Sequence, residues 1–255
     1  CCSVEDVDDA RRVCDKICVP HYLLNFEREF KAHVVDYFCQ EYDRGRTPHP
    51  CLACNDKIKF SFLMNRAAAL QAAYVATGHY AKIEHTVDGW VLKKGVDTAK
   101  DQSYVLFGMG QEELARTLMP VGAYAKQAIR DMALDAGFIN AEKPDSQDIC
   151  FIPLGDYRKF LDERADTEPG YTVDVSGDVL GQHRGIEFFT VGQRRGLGIA
   201  SGEPRYVSRL DAEKNQVVVG AEEGLYQDRM WASSVSYTQG YLPSEPIEVG
   251  VKIRY

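Results

Sequence analysis

Apolar residues recur at helical spacing from the start of the chain: Val4, Val7, Ala10, Val13 and Ile17 follow Ser3 and Asp6, a pair that resembles a capping box. A short strand is expected at 20–25. Phe26, Phe30, Val34 and Phe38 mark a second amphipathic helix running to about Arg44, where Gly45 ends it. Thr47 to Ala53 reads as an extended loop fixed by Pro48 and Pro50, and the helical pattern that resumes at Ile58 places Cys54 at the start of a helix. Tyr74 to Thr77 is a short apolar strand ending in Gly78-His79, and Ala81 to Lys94 reads as a hairpin centred on Asp88-Gly89. Helical patterns follow at 112–118 and 126–136, the latter closed by Gly137.

This alternation of helices and strands predicts an α/β fold with a parallel sheet. One more helix is expected at 157–164, and the composition changes near Gly155. Beyond it the chain turns rich in Gly, Val and Tyr with alternating strands, and turn signals stand at Ser176-Gly177-Asp178 and Asp211 to Asn215. The expected division is a nucleotide-binding domain over 1–155, a central β-rich domain over 156–222 and the start of a β-barrel over 223–255, with 247–255 as a strand. The glycine-rich run Gly192 to Gly198 is not followed by a helix, so it reads as a basic hairpin and not as a dinucleotide fingerprint.

At 255 residues and an ordinary apolar fraction the chain can bury a sizeable core. The formal charge of −8 gives no general support to nucleic-acid binding. Between Gln182 and Arg209, however, five arginines stand against two glutamates, a local positive excess that marks Arg194 and Arg195 as phosphate contacts. The acidic first twenty residues do not resemble a signal or transit peptide, and no apolar run is long enough to span a bilayer, which places the protein in the cytoplasm. A start without methionine and an end within a strand-like run read as a fragment lacking both termini.

Eight cysteines in a chain of this length are not a disulfide scaffold, and Cys1, Cys2, Cys14, Cys18 and Cys39 read as idle or buried thiols. Cys54 differs because unpaired N–H groups and the dipole at a helix N-terminus favour a thiolate. Cys150, flanked by Ile149, Phe151 and Ile152, is either its partner or a core residue. Cys51-x-x-Cys54 is also half a zinc site, although no second pair of ligands follows it, or a thiol redox motif. His79 and Lys100-Asp101-Gln102 each admit a structural reading.

Several separated segments together resemble one family. Thr47-Pro-His-Pro-Cys-Leu-Ala-Cys54-Asn-Asp-Lys-Ile-Lys-Phe60, Ala76-Thr-Gly-His-Tyr80, Lys100-Asp-Gln-Ser-Tyr104, Asp145-Ser-Gln-Asp-Ile-Cys150-Phe151, Thr190 to Gly198 and Val251-Lys-Ile-Arg-Tyr255 are similar, in order and approximate spacing, to bacterial tRNA-specific 2-thiouridylases, the MnmA family. The resemblance implies an ATP-pyrophosphatase-like α/β domain followed by β domains, and an enzyme that activates the C2 oxygen of the wobble uridine with ATP and Mg2+ and replaces it with sulfur. It implies Cys150 as the persulfide carrier and Cys54 as the second catalytic thiol. Cys54 would attack the persulfide and leave a Cys54–Cys150 disulfide, or the persulfide's terminal sulfur would attack directly.

It further implies Gly78 at ATP; His49, Pro50 and Cys51 at the target base; Lys100, Asp101 and Gln102 at tRNA; and Arg254 and Tyr255 at tRNA from the C-terminal barrel. The partners implied are tRNAs for Lys, Glu and Gln and a sulfur-relay protein or cysteine desulfurase that delivers the persulfide. The chain departs from the family where Asn-Pro commonly precedes an Asp or Cys: it has His49-Pro50-Cys51, with no Asp there to take an acid/base role. The family's Ser-Gly-Gly-x-Asp-Ser phosphate loop is expected upstream of Cys1, and the chain without it is expected to be inactive. The rival readings are a non-catalytic tRNA-binding module and a CxxC redox protein.

Overall fold

The computed structural model describes residues 4–145, 149–152, 156–164, 167–200 and 202–251. Contacts divide the chain into two compact units, one of residues 1–29, 51–147 and 234–255, the other of residues 30–50 and 148–233.

In the first unit, helix Val4–Lys16 takes the expected course, with acidic residues in its first turn and Lys16 in its last, matching the dipole. Its Lys16 ammonium donates to Gly137 O at 2.7 Å, and Lys143 donates to Asp6 and Asp9 on its first two turns. The strand expected at 20–25 does not form. Tyr22 and Leu23 there are 76% and 71% exposed, and no described strand pairs with the segment, so its β-forming side chains have nothing to pack on.

The 50–69 helix is the unit's spine. It runs through Pro50–Ala53, a wide π-helical stretch Cys54–Leu63, and Met64–Ala69. It therefore starts earlier than the apolar pattern suggests. Pro50 is the first helical residue, a place where proline's fixed φ helps and its missing N–H costs nothing, so Cys54 lies beyond the first turn and Cys51 within it.

Strand β1 (Val75–Ala76) pairs in parallel with β4 (Thr117–Leu118), and β2 (Ala81–Thr86) with β3 (Gly89–Lys94) form the expected hairpin. Gly89 holds a φ of 112°, a conformation that glycine adopts without steric cost. Helix Gln111–Ala115 is shorter than expected because Thr117 and Leu118 leave it to pair with β1. Helix Lys126–Asp135 ends as expected, with Gly137 at a φ of 67°. Phe60, Ala81, Val105, Leu106, Met109, Leu114 and Met119 make the core here.

The second unit packs helix Asp36–Asp43 and helix Tyr157–Asp162 with a four-stranded sheet in the order β6-β5-β8-β7. Strands β5 (Gly170–Asp174) and β6 (Val179–His183) form one antiparallel pair, β7 (Tyr206–Asp211) and β8 (Gln216–Gly220) another, and β5 lies parallel to β8 between them. Phe38 and Tyr42 of the first helix bury 100% and 95% of their surface beside Leu161, Phe188, Val207, Val217 and Val219. Full burial of such a side chain is worth roughly 1.5–3 kcal/mol. Glu41, also buried, is satisfied by Arg44 at 3.0 Å and Arg46 at 3.3 Å.

The run 192–198 is not a hairpin. It is an irregular loop with Gly192, Gly196 and Gly198 all at positive φ, tied to β7 by Gly192 N–H to Val207 O at 2.7 Å and Val207 N–H to Gln193 O at 2.9 Å. Left-handed glycines at such intervals break the extended geometry a strand needs. Among the described residues 226–251 there is no strand, so the expected barrel strand is absent at 247–251.

Candidate active site

Three segments of the first unit carry expected site residues: the start of the 50–69 helix, the residues after β1, and the turn at 100–103. Cys51 is exposed and Cys54 half-buried. Burial pushes the Cys51 thiol above its ordinary range, and the charge of Lys59 pulls it back. Of the residues just before, His49 is exposed and Pro50 buried; partial burial lowers the His49 pKa.

Past β1 the chain opens at Gly78, which is exposed and around which an added Cβ would meet nothing within 4 Å. The next residue is its opposite. His79 is only 7% exposed, with Nδ1 at 2.9 Å from Thr77 Oγ1 and Nε2 at 3.4 Å from Lys59 Nζ. Burial first, and the Lys59 ammonium second, lower its pKa to about 4, so the imidazole is neutral near pH 7. An ammonium can only donate, so Nε2 is the acceptor and Nδ1–H donates to Thr77.

The turn at 100–103 is built by its own side chains. Asp101 accepts from Gly95 N–H at 2.9 Å, Ser103 N–H at 3.3 Å and Ser103 Oγ at 2.8 Å, which commits both its oxygens locally. Gln102 Oε1 accepts from Tyr80 N–H at 3.0 Å, while Gln102 N–H donates to Tyr80 O at 2.9 Å. Lys100 pairs with Asp145 at 2.9 Å, and Asp145 also meets Lys126 at 3.1 Å and Arg130 at 3.5 Å. Hydrogen bonds from Lys100 and Lys126 hold the Asp145 carboxyl down at about 2. Gly78, His79, Tyr80 and the 100–103 turn are thus one connected patch, with Lys59 joining it from the helix.

Lys59 was not among the residues expected from sequence. It lies within the Thr47–Phe60 segment that carries the resemblance, five residues after Cys54, but that segment assigns it no role.

In the second unit Cys150 is exposed, which corrects the reading of it as a core residue. Its neighbours take the core positions instead. Ile152 is 4% exposed, and Phe151 packs edge-on to Phe30 at 5.7 Å and Phe38 at 5.5 Å. Ile152 N–H closes the turn onto Ile149 O at 2.9 Å, so the thiol rides on an anchored backbone. Of the basic residues, Arg184 is engaged with Asp162 at 2.9 Å and lies 3.6 Å over the Phe188 ring, whereas Arg194 and Arg195 are exposed on the glycine loop. Gln193 shapes that loop, accepting from Thr190 N–H at 3.1 Å and donating to Arg195 O at 2.9 Å.

Arg254 and Tyr255 lie outside the described residues. Among the described residues no group of three or more His, Cys, Asp or Glu is placed to hold a metal ion, and no helix is long and apolar enough to cross a membrane.

Two family descriptions match the chain in succession: the tRNA methyl transferase HUP domain over residues 1–154 and the tRNA methyl transferase PRC-barrel domain over residues 158–221. The chain is 50% identical over 260 residues to the tRNA-specific 2-thiouridylase MnmA of Heliobacterium modesticaldum, covering all of this chain and 68% of that protein. It is 47% identical over 258 residues to the protein of the same name from Halothermothrix orenii, covering all of the chain and 72% of that protein. The corresponding values for Roseiflexus are 44% over 274 residues, again all of the chain, and 74%. With its two domains matched in order and its whole length aligned, the chain belongs to the tRNA-specific 2-thiouridylase (MnmA) family.

Proposed function

We propose that this protein makes 2-thiouridine in tRNA, consuming ATP and taking sulfur from a cysteine persulfide. The observation that carries the proposal is the likeness along the whole chain to proteins named 2-thiouridylases. The matched family descriptions speak of methyl transfer. Sulfur transfer is preferred because the chain carries a helix-borne thiol, Cys54, and an exposed thiol on an anchored turn, Cys150.

ATP fits the open backbone at Gly78, which follows the carboxyl end of a parallel strand, where α/β sheets bind nucleotides. Its chemistry is to turn the C2 oxygen of the wobble uridine into part of a leaving group, with Mg2+ offsetting phosphate charge. Cys150, open to solvent, receives the persulfide from a sulfur-relay protein or cysteine desulfurase. Cys54 thiolate then attacks the Cys150 sulfur: the bond to the terminal sulfur breaks, hydrosulfide leaves with the electron pair, and a Cys54–Cys150 disulfide forms. Hydrosulfide attacks C2, AMP departs with the former oxygen, and an external thiol returns the disulfide to two thiols. His49, Pro50 and Cys51 meet the base; Lys100, Gln102, Arg254 and Tyr255 meet the tRNA. Asp101 serves by shaping the turn between Lys100 and Gln102. The substrates are tRNAs for Lys, Glu and Gln, read in the cytoplasm.

The test is to incubate the full-length protein with unmodified tRNA, ATP, Mg2+ and a persulfide donor, and to measure 2-thiouridine by nucleoside mass spectrometry. Product that disappears in Cys54→Ser and in Cys150→Ser supports the proposal. Wild-type protein that binds tRNA yet yields no 2-thiouridine refutes it.

A further inference from the structure

Lys59 holds an unusual position for a lysine. Its stem is half-buried, and its ammonium is bonded to an imidazole, not to a carboxylate. Among the described residues no Asp or Glu forms an ion pair with it, although fifteen such pairs are made elsewhere. A partly desolvated charge facing a neutral acceptor is incompletely compensated, and burial of a charge is costly until an anion meets it.

His79 occupies one of the three donors of Lys59 and is itself fixed from behind by Thr77 Oγ1 at 2.9 Å, so the pair is braced against the end of β1. The neighbouring residue is Gly78, with open space where a side chain would be. A braced cation with spare donors, next to bare backbone at the carboxyl end of a parallel strand, is a receptor for an anionic oxygen.

We propose that Lys59, braced by His79, binds a phosphate oxygen of the nucleotide beside Gly78. This rests on the nucleotide reading above and adds to it a residue and an atom. Lys59 is then a binding residue for the activation step, and His79 a positioning residue that works through it.

The experiment compares AMP with adenosine, which differ by the phosphate alone, by calorimetric titration of the full-length protein. In wild type AMP binds more tightly. In Lys59→Gln the AMP affinity falls roughly tenfold to a hundredfold, the worth of a charge-assisted hydrogen bond, while adenosine affinity is unchanged. Lys59→Arg keeps most of the preference, and Lys59→Met, which retains the apolar stem, repeats the Gln result should Gln disturb packing. Equal loss for AMP and adenosine in both neutral variants would mean a purely structural lysine and overturn the inference. So would an AMP preference that survives in them while the wild type makes 2-thiouridine, and in that case the functional reading stands alone. Wild type that binds neither nucleotide and makes no 2-thiouridine overturns both.

Discussion

Gln102 and Tyr80 hold each other twice: the backbone N–H of Gln102 donates to Tyr80 O at 2.9 Å, and Tyr80 N–H donates to the Gln102 side-chain oxygen at 3.0 Å. The bond fixes which way the amide faces, with its oxygen on Tyr80 N–H. Gln102→Ala strands a buried backbone N–H and is expected to cost about 1–3 kcal/mol in urea unfolding. Gln102→Glu keeps the acceptor and should keep the stability while weakening tRNA binding, because a donor becomes an anion. A Glu variant as unstable as the Ala variant would contradict this.

His79 makes the protein acid-sensitive in a defined window. Its folded pKa is about 4 against an ordinary 6.5, so between those values the unfolded chain takes up a proton that the folded chain refuses. Stability therefore rises with pH across that window, and His79→Gln should flatten the rise, by about 3 kcal/mol in the limit. Urea midpoints at intervals from pH 4 to 7 give the slope; identical slopes in both proteins would refute the assignment.

The thiols should separate by reactivity. Cys150 is exposed, whereas Cys39 is half-buried and its pKa is raised by burial and by Asp43 and Asp36. Timed alkylation followed by peptide mass spectrometry should find Cys150 modified about tenfold or more faster than Cys39. The reverse order would remove the case for Cys150 as an open sulfur carrier.

Gly122 touches the hairpin with no room to spare. A Cβ there would overlap Ala81 O and lie 2.5 Å from Ala81 C, both backbone atoms that cannot rotate away. Gly122→Ala is expected to destabilise by about 3 kcal/mol or more. Gly224→Ala, with nothing within 4 Å of its Cβ, should be nearly silent in the same thermal melt.

Where local chemistry decides structure, the sequence was legible. Alternation around Asp88-Gly89 made the hairpin readable, Gly137 marked the end of its helix, and Gly177 and Asn215 stood at the turns of the two strand pairs. Tertiary context hid the rest. Tyr22 and Leu23 have strand-forming character but no strand among the described residues to pair with, and Pro50 looks like loop until its φ is set against the helix it begins. The helical pattern beside it singles out Cys54, whereas Cys150, Gly78 and the 100–103 turn take their roles from the resemblance. Lys59 escaped because its significance lies in His79, twenty residues away, and in the lack of an ion pair among the described residues.

The sheet of the second unit sets a folding order. Its two antiparallel pairs are each closed over a few residues, at 175–178 and 212–215, but the parallel seam of β5 with β8 joins residues more than forty apart, among them Val173 with Val218. Hairpins of that kind form in microseconds, while the seam must wait for the long connection to close. The seam is thus the late step of this unit, and the irregular loop of 192–198, held to Val207 by two backbone bonds, lies within the length of chain that has to be gathered before the seam can zip.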